Sequence, residues 1–131
     1  MVLGPDGALY GTTMLGGNPN FEGGNTGVIF KLTPPAPGHL NWTETVLHRF
    51  KDQPTDGRAP FGALVFDSSG AMYGATDNGG ANGYGAVFKL VPVARDTSGI
   101  RWRYSVIHSF DDTECYPQST LVIDQSTLLT R

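Results

Sequence analysis

Asp67-Ser-Ser-Gly70-Ala-Met-Tyr-Gly-Ala-Thr76-Asp-Asn-Gly79-Gly80 decides the fold, because the chain writes it twice. Asp6-Gly7-Ala-Leu-Tyr-Gly-Thr-Thr13-Met-Leu-Gly16-Gly17 is the same phrase with small edits. Gly7 matches Gly70 and Tyr10 matches Tyr73, 63 residues apart. Further along, Gly27-Val-Ile-Phe-Lys-Leu32 matches Gly85-Ala-Val-Phe-Lys-Leu90 at 58. Trp42 matches Trp102, and Thr45-Val-Leu-His-Arg-Phe50 matches Ser105-Val-Ile-His-Ser-Phe110, at 60. Pro60, Leu64 and Asp67 match Pro117, Leu121 and Asp124 at 57. Offsets that drift between matched cores are what insertions and deletions in surface loops produce.

Each copy carries four short segments of strand character. In the second copy they are Ala63–Asp67, Ala71–Thr76, Ala86–Val91 and Trp102–Phe110. The last alternates, with Trp102, Tyr104, Val106, His108 and Phe110 on one side and Ile107 as the exception. Asp67-Ser-Ser-Gly70 suits a tight hairpin, and Pro- and Gly-rich breaks separate the other segments. The Gly16-Gly17 and Gly79-Gly80 pairs suit turns needing positive φ. No stretch of ten residues shows a helical period, so the expected class is all-β. Matched quartets of antiparallel strands recurring at about 60 residues predict β-propeller blades, with a β-sandwich as the competing architecture. The expected organisation is a single propeller fragment over 1–131, with one blade over about 1–60, a second over about 61–118 and an additional inner strand over about 119–124.

The same motifs resemble the GloVer-type tandem repeat. They are Asp-Gly-x-Leu-Tyr-Gly-Thr-Thr, Gly-x-x-Phe-Lys-Leu, Trp-x-x-x-Val-Leu-His-x-Phe and Asp-Gly-x-x-Pro. The resemblance spans nearly the whole chain. It implies propeller-like repeats from long, secreted or surface-anchored bacterial proteins, and it carries no activity or catalytic residues. Met1 opens no secretion signal. The chain reads as a segment of a longer array that starts and stops inside repeats, and it leaves the localisation open.

Two blades cannot close a ring, since at least four are usual. The predicted partner is therefore the chain itself, in a head-to-tail cyclic homo-oligomer. Three chains, giving six blades, are preferred over two or four. A net charge of −3 with scattered basic residues argues against nucleic acid. No apolar run approaches the roughly 18 residues of a membrane helix. Cys115 is the single cysteine, which leaves no intrachain disulfide.

Blade connectivity gathers seven of the twelve acidic residues on one loop face: Glu22, Asp52, Asp56, Asp77, Asp111, Asp112 and Glu114. Asp77, Asn78, Asp56 and Asp112 are the candidate binding residues there. Asp52, Asp77, Asp111 and Glu114 are the candidate ligands for Ca²⁺ or another divalent cation, which takes oxygen donors in number. Ordinary turn chemistry explains Asp in such loops more directly than a metal site does, and the calcium-loop spacing is absent. His48 and His108, equivalent in the two copies, are the candidate catalytic residues. Their place on an apolar strand face also fits packed structural histidines. Cys115 with His108, seven residues apart, is a weak nucleophile pairing, with no third orienting group identifiable. Trp42 and Trp102 read as blade packing rather than sugar platforms.

Three functions follow. The leading one is a non-catalytic binding or scaffold module with an acidic face. The enzymatic alternative, by fold analogy, is a metal-dependent hydrolase of phosphoesters or lactones. The third is a carbohydrate-binding ring using Phe21, Tyr84 or Tyr116.

Overall fold

In the computed structural model the described residues are 1–16, 26–51, 56–96, 99–115, 117 and 121–123. The first repeat builds β1 (Val2–Leu3), β2 (Leu9–Thr13), β3 (Val28–Thr33) and β4 (Thr43–Arg49). The second builds β5 (Gly57–Phe66), β6 (Met72–Gly79), β7 (Ala86–Asp96) and β8 (Gly99–Ser109). Each set forms one four-stranded antiparallel sheet in chain order. None of the described residues is helical. The second sheet begins at Gly57, ahead of the expected boundary near 61 and of the expected strand start at Ala63. Its first strand accommodates Pro60 through an irregularity between Phe61 and Val65, with Ala59 and Gly62 at positive φ. Of the expected additional inner strand, Leu121–Ile123 are not in strand and the rest lies outside the described residues.

The quoted stretch forms its hairpin through Asp67. One carboxylate oxygen accepts the Ser69 and Ala71 backbone N–H groups at 2.9 and 3.0 Å, and the other accepts the Tyr73 hydroxyl at 2.9 Å. Asp6 does the same work in the first repeat, accepting from the Ala8 N–H at 3.1 Å and the Tyr10 hydroxyl at 2.8 Å. It also pairs with Lys31 at 2.8 Å. The aspartate sits two residues further along the first hairpin, because the turn bond that Gly70 makes to Asp67 is made there by Gly7 to Gly4. Gly70 has φ +88 and open space where a Cβ would project. Gly70→Ala is therefore expected to cost only the left-handed backbone penalty, about 1 kcal/mol, read as a lower urea midpoint at unchanged m-value.

The other demanding glycine is Gly27, with φ +98. A Cβ there would overlap the Thr13 carbonyl oxygen and press on Pro60. Its repeat equivalent, Gly85, is confined the same way by the Thr76 carbonyl and Pro117. The Gly27 and Gly85 carbonyls accept from Phe50 and Phe110 N–H at 3.1 and 2.9 Å, tying the end of each last strand to the start of the third.

The two sheets meet face to face, and the core lies between them. Ala8, Tyr10, Ile29 and Phe50 from the first sheet pack with Leu64, Met72, Phe88 and Leu90 from the second. Tyr10 sets its ring edge-on to Phe66 and Trp102, with centroids at 5.1 and 6.0 Å. Phe50 meets Phe88 at 5.6 Å and Tyr104 at 5.9 Å. Edge-to-face pairs of this kind add about 0.5–1.5 kcal/mol each beyond the area they bury.

A bulge in each last strand corrects the expected alternation. The pairing runs Ile29 with His48 and then Phe30 with Val46, skipping Leu47. In the second sheet it runs Val87 with His108 and then Phe88 with Val106, skipping Ile107. One extra residue reverses the parity of everything beyond it. Trp102, Tyr104 and Val106 therefore face the first repeat, whereas His108 and Phe110 face away from it. In the first sheet Trp42, Glu44 and Val46 face outward, whereas His48 and Phe50 point into the seam. The histidines do not share a face with the tryptophans.

Candidate functional site

A buried polar cluster sits at the seam and is built from three elements. His48 comes from the end of β4, Asp56 from just before β5, and Tyr104 from the middle of β8. The bulge at Leu47 turns His48 inward, where its ring stacks on Tyr104 at 3.7 Å with the planes 7° apart. Its Nε2 lies 3.1 Å from both Asp56 carboxylate oxygens. Asp56 is 4% exposed. Its carboxylate also accepts from the Lys51 N–H at 2.9 Å and from its neighbour Gly57 N–H at 2.8 Å. The Asp56 carbonyl accepts from the Gly80 N–H at 2.8 Å, which joins the loop to the end of the stretch quoted at the outset.

Burial works against the charged Asp56 carboxylate. Hydrogen bonds from His48 and Tyr104, the charge of His48 and the Lys51 N–H outweigh it, so the carboxyl is held below the ordinary aspartate range. Burial, reinforced by the Asp56 charge and hydrogen bond, pushes the Tyr104 hydroxyl well above the ordinary phenol range. The hydroxyl therefore stays protonated and acts as a donor. The imidazole has its Nε2 committed to the carboxylate and one ring face committed to Tyr104. This arrangement orients and clamps.

The repeat equivalent is different in kind. His108 is exposed, with its ring edge-on to Phe110 at 4.8 Å. The loop after it is three residues shorter, counting Phe110 to Pro117 against Phe50 to Pro60, and Thr113 stands where the first copy has Asp56. The two candidate catalytic histidines are thus in unlike surroundings and do not form a pair.

Of the other expected site residues, Asp77 and Asn78 lie within β6 rather than in the expected loop, and Asp111, Asp112 and Glu114 lie in the turn after β8. Asp77 accepts from the Asn78 side-chain amide at 3.3 Å, and Asn78 lies opposite Arg58 in the β5–β6 ladder. Asp111 accepts from the Thr113 N–H and hydroxyl at 2.9 and 2.5 Å, and its carbonyl accepts from the Glu114 N–H at 3.2 Å. These bonds to Thr113 hold the Asp111 carboxyl below its ordinary range. Asp112 is exposed in that turn, and Cys115 is exposed beyond it. Asp52, Glu22, Phe21 and Tyr116 lie outside the described residues. Among the described residues, no three His, Cys, Asp or Glu side chains come together to hold a metal ion. Asp77, Asp111 and Glu114 therefore do not converge as a ligand set.

Sequence reasoning named His48 and Asp56 separately and missed Tyr104. The available signal was a difference between the copies. The position opposite Leu32 in β3 is Glu44, whereas the position opposite Leu90 in β7 is Tyr104.

No curated protein and no solved structure matches the chain. A family model described as the Gloeobacter/Verrucomicrobia repeat matches residues 1–130. With two matched sheets and the repeated Gly-Val-Ile-Phe-Lys-Leu and Val-Leu-His-Arg-Phe phrases accounted for, the chain belongs to the Gloeobacter/Verrucomicrobia repeat family.

Proposed function

We propose that this chain is a non-catalytic scaffold module, two blades of a β-propeller that stack head to tail with further copies into a ring and present an acidic loop face for binding. One observation carries the reading. The two outward sheet faces carry, at several matched positions, the same or similar apolar residues that make the internal seam. On the first sheet, Phe30, Leu32 and Trp42 repeat Phe88, Leu90 and Trp102. On the second, Tyr73, Val87 and Phe110 repeat Tyr10, Ile29 and Phe50.

Each outward face is therefore the counterpart of the other. Both leave apolar side chains in water: Trp42 is 51% exposed and Ile107, the equivalent of the seam residue Leu47, is 52% exposed. Repeat units that cannot cover such faces alone cover them by stacking. A head-to-tail contact closes into a ring when the rotation permits, and six blades lie within the usual range.

The test is mass in solution by sedimentation equilibrium. The expected species is three times the 14.0 kDa of one chain. Trp42→Ala is expected to shift it toward the single chain, because truncating a seam aromatic removes its largest apolar contact. A folded, monodisperse single chain up to about 100 µM, a concentration that would populate even weak complexes, overturns the reading.

A further inference from the structure

We infer that the contact between copies is specified by an ion pair between Glu44 of one chain and His108 of the next, replacing the His48–Asp56–Tyr104 cluster that specifies the contact inside the chain. This rests on the head-to-tail reading above. The internal seam supplies the template. There, a histidine just past the bulge of one repeat stacks on the residue opposite the third strand's second leucine-facing position in the next repeat. Inside the chain those residues are His48 and Tyr104, at 3.7 Å. At the open ends, the ladder registers place His108 at the first position and Glu44 at the second. Superposing one seam on the other brings His108 onto Glu44.

The two exchanges are complementary. Inside, the histidine has a neutral aromatic partner, and its carboxylate comes from Asp56 on its own side. At the open end Asp56 has become Thr113, through a shortened loop, so the buried carboxylate that holds His48 has no counterpart at its position; the exposed Asp111 stays near His108 but is engaged by Thr113. A carboxylate has appeared instead on the facing surface, as Glu44. At the internal junction the carboxylate bonded to the histidine comes from the histidine's own side, and at the open junction the facing surface offers one. His108 and Glu44 are both exposed in the single chain, as residues awaiting a partner on these faces would be.

The exchange also discriminates. A second internal-type pairing would bring His48 against Tyr104 of a different chain, but both are already engaged. An ion pair at the open ends sets a register for copies that the internal aromatic stack does not satisfy.

Other charged groups share these faces. Lys89 lies over the Tyr73 ring at 5.5 Å, Asp67 holds the Tyr73 hydroxyl, and Asp111 is near enough to feel the His108 charge. Arg49, next after His48, falls on the Glu44 side by alternation. An imidazolium attracts a carboxylate and a neutral imidazole does not, so such a pair is favoured in acid.

The experiment is sedimentation equilibrium of the full chain and four variants, Trp42→Ala among them, at pH 5.5 and pH 8. Wild type is expected to associate more tightly at pH 5.5. Glu44→Gln and His108→Gln are each expected to weaken association about fivefold at pH 5.5 and to remove the pH dependence, the effect of losing one partly exposed charge pair. Exchanging the pair, Glu44→His with His108→Glu, is expected to restore both. Neither residue takes part in the internal seam, so urea midpoints measured at concentrations where the chain is single should match wild type. Wild-type association that Trp42→Ala weakens but neither charge variant alters overturns the ion pair and leaves the stacking reading standing. Failure of the exchanged pair to restore association also overturns it. A single chain under all conditions overturns both.

Discussion

Asp56→Ala is expected to lower the stability of the chain by about 3 kcal/mol, because it leaves several donors facing no acceptor in a buried site. The carboxylate collects the His48 imidazole, the Lys51 and Gly57 N–H groups and the Tyr104 hydroxyl. Few of these can turn to water, since His48 lies flat on Tyr104 and Asp56 itself is 4% exposed. Asp56→Asn keeps an acceptor oxygen and should cost about half as much, as expected when charge assistance is lost but the bonds remain. Urea denaturation at pH 7 measures both. Costs below about 0.5 kcal/mol, the range of ordinary surface changes, would show the cluster to be decorative.

The same contact has a definite pH signature. The folded chain holds the Asp56 carboxyl below its unfolded value, so the unfolded chain binds more protons in acid. That contribution is fully present above the unfolded aspartate value, near 4, and is lost as pH falls through the lower folded value. Burial opposes the same shift in Asp6 and Asp67, but bonds from Lys31 and Tyr10 to Asp6 and from Ser69 and Tyr73 to Asp67 outweigh it. The acid slope of stability should therefore shrink in Asp56→Ala without vanishing.

Phe88→Ala is expected to cost about 3–5 kcal/mol, the range for emptying a fully buried aromatic site. Phe88 is wholly buried, stacks on Tyr104 at 5.7 Å and meets Phe50 edge-on at 5.6 Å. Its ring lies against Gly74, where any side chain would collide with it. The void would open in the seam between the repeats, where both sheets are already paired to their neighbours and cannot collapse inward. Phe30 is the same residue in the same phrase of the first repeat and lies against Gly11. It faces outward and is only half-buried. Phe30→Ala should cost the single chain about 1–2 kcal/mol, since less apolar surface is buried and water can fill the gap. Thermal and urea unfolding of the two variants side by side measure the difference. Equal costs would mean that the two sheets do not pack through the Phe88 face.

How far each feature could be read depended on the range of the interaction that made it. Four strands per repeat, their order and their hairpins follow from neighbours in sequence. Gly70, Asp67 and the Gly-x-x-Phe-Lys-Leu phrase act within a few residues and act twice, so repetition exposed them. The acidic loop residues were legible as residues but not as a site. Asp77 and Asp111 bond to groups within two positions of themselves, and Asp56 turns inward to a histidine eight residues back.

Alternation along the last strands misplaced the histidines for an equally local reason. One bulged residue shifts parity, and a bulge is defined by the partner strand rather than by its own. Ile107 stood out as the exception in the pattern, and the exception was the bulge.

The amino-acid sequence by itself determined an all-β repeat chain, because turn chemistry and twofold strand periodicity are local and are written out twice. Only the tertiary structure decided that His48, Asp56 and Tyr104 form one cluster, that Phe88 is sealed while Phe30 is not, and that two outward faces remain with the composition of a seam. These depend on which sheet lies against which. That choice is made by side chains from different strands meeting across the seam, and identical residues in two copies carry no mark of which one will be covered.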